Sequence, residues 1–278
     1  MSSISPDADE VFAFGENWSR FLTTVDERRI DQATEDLARM LEHKRLDGVS
    51  FLDVGSGSGL SSLAARRLGA RVSSFDADPA SVACTIELRR RYEAHGGQWT
   101  VEHGSVLDRT YLSTLGTFDV VYSWGVLHHT GAMWDAMENV LDLVAPGGTL
   151  FIALYNDQGW WSRFWRALKR LYVRGPALLR PLPVAATLAT VWLPRVVLDT
   201  LRGSPLRSWR AYRDDRGMSA WHDVIDWAGG YPFEVATPGD VHQFYRERGF
   251  TLERLVTRAS GCNEFVFVRD DAAVQTGG

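Results

Sequence analysis

Cysteine is almost absent from this 278-residue chain. Cys84 and Cys262 are the whole complement, and Cys84 falls on what reads as a buried helix face, so a disulfide framework is excluded and a reducing cytoplasm fits. Positive charge is not in excess either. The net charge of -5 offers no general attraction for phosphate backbones, which argues against RNA or DNA as a partner. No run reaches the roughly eighteen uninterrupted apolar residues of a membrane span. The opening MSSISPDADEVFAF has acids but no basic region ahead of an apolar stretch, so no secretory signal is expected. The length still suffices to bury a full core as one domain, or as one domain carrying a sizeable insertion.

What is present begins with Phe51 to Leu60, FLDVGSGSGL: an apolar run, an acid at Asp53, then Gly55, Gly57 and Gly59. A buried strand that ends in a glycine-rich turn and feeds a helix lets backbone N–H groups approach a ligand, at the positive end of the helix dipole. The spacing selects among nucleotide-type ligands. A dinucleotide fingerprint needs G-x-G-x-x-G, and Leu60 stands where its third glycine would fall. Asp53 can instead meet a cationic amine. Asp76, with Ala77 beside it, closes the next strand 23 residues past Asp53, where a carboxylate can accept both hydroxyls of an adenosine ribose. The plainer reading is that Asp76 or Asp78 caps the helix opened by Pro79.

The pattern around this turn alternates strand and helix. Strands are expected at Val49–Val54, Arg71–Phe75, Trp99–Glu102, Phe118–Ser123 and Thr149–Tyr155. Helices are expected at Asp26–His43, laid on the sheet edge, at Leu60–Leu68, and from Thr130 to a stop at Pro146-Gly147-Gly148. This is the doubly wound α/β pattern. After a lead of ten residues expected to be disordered, Phe12, Phe14, Trp18 and Phe21 crowd together. Core packing is the favoured use of such aromatics, and a lid by Trp18 over the cofactor pocket is the alternative.

From Asp157 to Ala236 the regularity breaks. Trp160 and Trp161, a basic stretch from Arg163 to Arg180 and the apolar run Pro183 to Leu201 are too long for a loop and need helices of their own. A cap over the substrate is favoured over an interfacial patch at 181–201 in which arginines meet lipid headgroups. Pro181, Pro183 and Pro194 argue against a spanning helix. The tail of the insertion concentrates Trp221, His222, Asp223, Asp226, Trp227, Tyr231 and Phe233, which suit a polar ring-shaped substrate or a domain junction. Beyond it Thr237 caps and Pro238 opens a helix, and Phe250–Val256 and Cys262–Val268 form a strand pair. The expected division is 1–45, an aromatic and helical segment; 46–156, the nucleotide-binding core; 157–236, the cap; and 237–270, the rest of the core sheet.

The glycine turn with its two acids resembles motif I and the ribose acid of class I S-adenosylmethionine (SAM) dependent methyltransferases. Over Phe51–Tyr155 and Thr237–Val268 the chain resembles the branch that includes the ubiquinone-biosynthesis O-methyltransferases. The resemblance implies a Rossmann-like seven-stranded sheet with an antiparallel last strand, and a helical insertion between strands five and six. It also implies SAM as methyl donor, with Ser105, Val106 and Asp108 at the adenine ring. In a doubly wound sheet the crevice opens beyond the carboxyl ends of the strands, and Ser123 to His129 occupies that place. His128 is the first candidate for general base and His129 the second, since adjacent residues on a helical turn point about 100° apart. Trp124, Tyr155, Trp221, His222 and Tyr231 are the candidates to line the acceptor.

Members of that branch carry E-x-x-E-H after strand four, associated with a divalent metal. Gly125, His128 and His129 take its places here, so both carboxylates are missing and no metal is assigned. The expected activity is metal-independent methyl transfer to a small-molecule acceptor, at a hydroxyl. Transfer to carbon or nitrogen, or another use of SAM on a lipid-like or glycan acceptor, is the alternative, and a non-catalytic SAM-binding or membrane-docking protein the third. The expected location is cytoplasmic, peripheral to a membrane in the interfacial reading.

Overall fold

A computed structural model describes residues 18, 21–43, 45–93, 98–216 and 220–271. The expected lead and the aromatics Phe12 and Phe14 lie outside these residues, as do the side chains of His222, Asp223 and Asp226. Seven strands form one sheet in the order β3-β2-β1-β4-β5-β7-β6. They are β1 (Ser50–Val54), β2 (Arg71–Asp76), β3 (Trp99–His103), β4 (Phe118–Trp124), β5 (Val144–Tyr155), β6 (Phe250–Val256) and β7 (Cys262–Arg269). The first five run parallel, and β7 is antiparallel to both of its neighbours. The α/β class, the doubly wound parallel portion and the reversed last strand are those expected from the sequence.

Strand periodicity assigns the two faces. Leu52, Val121, Leu150, Ile152 and Phe265 join one core cluster, while Phe51, Val120, Tyr122, Phe151 and Val266 join the other. Successive residues of a strand point to opposite faces, so nearly continuous apolar runs fill both sides of a covered sheet. The second face is covered by α1 (Glu27–Leu41), α2 (Leu60–Arg67) and α3 (Pro79–Tyr92), and the first by α5 (Met133–Asn139) and α11 (Pro238–Arg246). A four-residue helix, α4 (Arg109–Leu112), follows β3. Local chemistry sets the helix starts. Asp26, Asp78, Asp108 and Thr237 each accept a backbone N–H of the first turn, and Pro79 and Pro238 begin α3 and α11 where a missing N–H costs nothing.

Three expectations change. The helix from Asp26 lies over the sheet face, with Ile30, Leu37, Met40 and Leu41 packed into the second cluster, and its end reaches the β6 edge at Arg254, which pairs with Glu42 and donates to the Arg39 carbonyl. Pro146-Gly147-Gly148 does not end a helix. It lies inside β5, where the pairing to β4 shifts between Phe118 and Val120, and a Cβ on Gly148 would sit 2.8 Å from the Ala145 carbonyl oxygen. The backbone bulges there because no side chain fits. Lastly, the prolines do not interrupt the apolar segment, and Ala177–Leu201 is one helical stretch long and apolar enough to cross a membrane.

That stretch belongs to the insertion, which leaves the sheet after β5 and returns before α11. Its helices are α6 (Trp160–Arg174), α7 (Pro181–Thr187), α8 (Leu193–Leu201), α9 (Arg207–Arg216) and α10 (Ala220–Gly229). Pro181 and Pro183 fall in the first turn of α7, and Pro194 follows a widened turn at Leu188–Trp192 that already departs from ordinary helical bonding. Asn156 bridges Ala236, and the Ala236 N–H donates to the Tyr155 carbonyl at 3.1 Å, so exit and return stand side by side. Leu150, fully buried in the central β5, tests the dependence of the fold on this sheet. Leu150→Ala is expected to cost about 2–5 kcal/mol, read as a lower urea midpoint with an unchanged slope.

Candidate active site

The glycine turn takes its shape from what surrounds it. Gly55 has φ +80°, and a Cβ there would stand 2.4 Å from Cγ1 of Val126, so the loop after β4 lies directly against the turn after β1. Gly57 has φ +53°, and a Cβ there would meet the Trp18 indole at 3.0 Å. Gly59 precedes α2 and faces Thr85 of α3. Trp18 packs with Phe21 against the second core cluster, the favoured expectation, and its indole also sits at Gly57, where the alternative placed a lid.

Asp76 stands at the end of β2, and its Oδ2 accepts the Gly57 N–H at 2.9 Å while its Oδ1 accepts the Asp78 N–H at 2.9 Å. Asp78, not Asp76, caps α3. Burial raises the pKa of Asp76 above the ordinary carboxylate value, against the lowering by those two N–H groups. Each oxygen keeps acceptor capacity beyond the one bond it makes. The Ala77 carbonyl beside it accepts from Nε2 of His103 at 3.0 Å.

Asp53 is placed differently. It is 2% exposed, and its Oδ2 accepts from the Ser62 hydroxyl at 2.5 Å. Ser62 lies 2.7 Å from the Ser74 hydroxyl, which accepts from Nε1 of Trp99. Burial, with the charge of Asp76 adding to it, pushes the Asp53 carboxyl up to about 7. The acid thus braces β1 against α2 and β2 from beneath the turn. Ser123 is also fully buried and donates to the Val54 carbonyl at 3.0 Å, tying β4 to β1. Ser105 Oγ accepts the Leu107 N–H, and Val106 is buried with its carbonyl held by Asn139.

The histidines follow β4 in one tight turn, Leu127–His129. His128 has no exposed surface, and its ring lies 4.0 Å from that of Tyr155 and 4.5 Å from that of His129. Neither of its nitrogens completes a hydrogen bond, although the Ala153 carbonyl lies close enough to favour the charged ring. Burial, then the neighbouring His129 and Lys169, hold its pKa well below the ordinary value. His129 is half-buried, with Nδ1 2.7 Å from the Pro232 carbonyl. A carbonyl only accepts, so Nδ1 carries the hydrogen of the neutral ring and Nε2 is its basic nitrogen. Burial, with Lys169 adding to it, brings this ring down to about 4 despite the Pro232 contact.

Two further residues join the group. Lys169 of α6 is 1% exposed, donates to the Trp227 carbonyl and stands 4.1 Å above the Trp227 ring and 5.0 Å from that of Phe233. It is one of two lysines beside 28 arginines, and that rarity was the only sequence signal for it. Glu234 accepts the Met133 N–H at 3.0 Å, and burial raises its carboxyl. It lines a cleft of about 290 Å³ with Gly131, Met133, Trp134, Tyr231 and Pro232, the last of which also holds His129. Tyr155, Trp227 and Phe233 form the aromatic wall beside the histidines. Tyr231 lies on the cleft wall under Arg174, while Trp124 and Trp221 are each 48% exposed and stand apart from the ring cluster. Among the described residues, no three His, Cys, Asp or Glu side chains converge to hold a metal.

Strand order, the reversed β7 and a glycine turn after β1 facing an acid at the end of β2 define a class I methyltransferase fold. A family model described as a methyltransferase domain matches residues 25–223, and the chain belongs to this family. It is 32% identical over 135 residues to the mitochondrial ubiquinone biosynthesis O-methyltransferase of Schizosaccharomyces pombe, covering 49% of this chain and 47% of that one. It is also 32% identical over 111 residues to the ubiquinone biosynthesis O-methyltransferase of Methylocella silvestris, covering 40% of this chain and 41% of that one. The chain therefore spans about half the length, or less, of these curated relatives. Among solved structures, magnesium protoporphyrin IX methyltransferase from Synechocystis, with bound S-adenosylhomocysteine, aligns at TM-score 0.52 and 16% identity, covering 87% of this chain and 83% of that one. An O-methyltransferase family protein from Burkholderia thailandensis aligns at TM-score 0.52 and 15% identity, covering 96% of this chain and 66% of that one. Both show the shared fold.

The buried groups make stability depend on pH with opposite signs. A His129 pKa of about 4 in the folded chain, against about 6.5 unfolded, gives stability that is full above the unfolded value and is lost as pH falls towards 4. Asp53, at about 7 folded and about 3.9 unfolded, contributes stability that is full in acid and is lost as pH rises through 7. Both windows lie between about pH 4 and 7, so thermal melts there are expected to show stability rising with pH more steeply in Asp53→Asn than in the wild type, and less steeply in His129→Gln.

Proposed function

We propose that this chain is a SAM-dependent methyltransferase that methylates a hydroxyl oxygen of a small aromatic acceptor, with His129 as general base. The observation that carries it is the contact of Val126 with Gly55, because it brings the histidine-bearing loop after β4 against the turn that faces Asp76. The residues around that turn fit the cofactor: backbone passes where no Cβ is tolerated, and a buried acid keeps acceptor capacity for ribose hydroxyls. Gly55, Gly57 and Gly59 would cradle it, Asp76 with Ala77 would hold the ribose, and Trp18 would close over the turn. Ser105 and Val106 would lie at the adenine ring, their loop held by Asn139. Asp53 and Ser123 would act by bracing the turn, Asp53 meeting the amine only through its remaining lone pairs. Bound SAM supplies a methyl group made electrophilic by its sulfonium.

What the protein adds is position and a proton acceptor. Nε2 of His129 takes the hydroxyl proton, and its partner Pro232 fixes which nitrogen does so. A ring held neutral down to about pH 4 is always in the accepting form at neutral pH but is a weak acceptor. It therefore suits an acidic hydroxyl such as a phenol, with a free value near about 10, better than an alcohol. An aromatic acceptor also suits the wall of Tyr155, Trp227 and Phe233, and the two O-methyltransferase relatives support oxygen over carbon or nitrogen. His128, enclosed between rings, would support His129 from behind. Lys169 opposes protonation of both rings, and no metal is assigned to the pair.

Asp76→Ala is expected to weaken SAM binding at least tenfold, on the order of one charge-assisted bond or more. His129→Ala should lower turnover of a phenolic acceptor by about 10²–10⁴ and leave SAM affinity within a few-fold. Titration calorimetry and labelled-methyl transfer read the two effects, and wild-type turnover in the His129 variant would remove the base assignment.

A further inference from the structure

The helical stretch Ala177–Leu201 has two different faces. Its inward positions are Pro183, Thr187, Trp192 and Asp199, all buried. Trp192 packs with Ala220 and Val224 of α10 and stacks edge-on with Trp209 at 4.5 Å, while Asp199 accepts the Ser208 N–H at 2.7 Å and the Ser208 hydroxyl at 2.9 Å. One outward line recurs every three or four residues and is wholly apolar. Leu178 is 87% exposed, Leu182 55%, Leu193 57%, Val197 49% and Leu201 80%, with exposed Ala185 and Ala189 completing the line between them. An apolar stripe of seven consecutive positions pointing at water is not a scatter of single surface residues, and such stripes mark interaction sites.

Charge identifies the partner. No acid occurs between Asp157 and Asp199, a stretch that carries six arginines and Lys169. Residues 157–216 together have a net charge of +8, and the rest of the chain -13. The one acid of the apolar helix, Asp199, is turned inward and bonded, while Arg180, Arg195 and Arg202 are exposed. We propose that this stripe lies in the interface of an anionic lipid bilayer, with leucine and valine side chains at the acyl boundary and arginines among the headgroups. The helix lies along the surface and does not cross it. Crossing would strip Trp192 and Asp199 from α9 and α10 and carry Arg195 into hydrocarbon. A second copy of the chain fits less well, because two such +8 insertions would repel where a bilayer attracts.

Density-gradient flotation of the full chain tests this, with phosphatidylcholine vesicles alone or mixed with phosphatidylglycerol. The wild type is expected to float with the anionic vesicles, less so at high salt, and to stay behind with phosphatidylcholine alone. Leu182→Gln with Leu193→Gln, both on exposed positions, should abolish flotation with the circular dichroism spectrum and SAM affinity unchanged. Arg180→Gln with Arg202→Gln should lower partitioning roughly thirtyfold, from about fivefold per arginine at an anionic surface. The proposal is overturned if the wild type fails to float with either vesicle, or if the leucine variants float as it does. It is also overturned if light scattering shows a dimer that the leucine variants dissolve and the vesicles do not bind.

Discussion

The close approach of three loops at the carboxyl ends of β1, β2 and β4 is the constraint on which the rest of the molecule depends. Val126 occupies the space a side chain on Gly55 would need, and Asp76 captures the Gly57 N–H from the neighbouring strand end. Neither contact survives a Cβ at these positive-φ positions without backbone movement. The strands deliver the loops to one place because their ends are tied directly beneath the turn, by Ser123 to Val54 and by the Asp53–Ser62–Ser74–Trp99 chain. Buried hydroxyls and a buried acid there form a connected polar network under the turn, which favours one geometry over many.

A second constraint is electrostatic. His128, His129 and Lys169 can all carry positive charge, yet they are gathered against the three rings of Tyr155, Trp227 and Phe233. Only one cation is accommodated cheaply in such a place, and the ring faces of Trp227 and Phe233 together with the Trp227 carbonyl receive the lysine. The histidines then stay neutral, because burial and the lysine act in the same direction on both. Burial is the larger cause for both rings, and Lys169 of α6 adds to it, so the insertion contributes to the neutral state that the proposed base needs. Removing the insertion would remove Trp227 and Phe233 from the wall together with the lysine that adds to the effect of burial.

Much of this was legible in the sequence wherever the signal was local. Alternation of strand and helix, the glycine turn before α2 and the Asp78-Pro79 start all depend on neighbours within a few residues, and the structure reproduces them. The orientation of the histidines was not legible. What separates His129 from His128 is the Pro232 carbonyl, a hundred positions further on. The inward turn of Asp53 likewise depends on Ser62 and Ser74, hydroxyls that read as ordinary helix and strand residues. Pro146-Gly147-Gly148 misled for a physical reason, since the same residues that stop a helix also permit a bulge in a strand.

The sequence posed a choice between a buried cap and an interfacial patch, and one helix of the insertion has both a packed and an exposed face. Trp192 and Asp199 look inward to α9 and α10, and Leu182, Leu193 and Val197 look outward. Hydropathy averaged over Ala177–Leu201 cannot distinguish these faces, because a helix with apolar residues on both its packed and its exposed side has the mean of a spanning segment. Geometry separates them. A helix already committed on one side has only its other side left for a bilayer, and the wall of Trp227 and Phe233 from the insertion packs on Tyr155 of β5. An acceptor that partitions into lipid would then have to reach that wall past the rim of the cleft at Trp134, Tyr231 and Glu234.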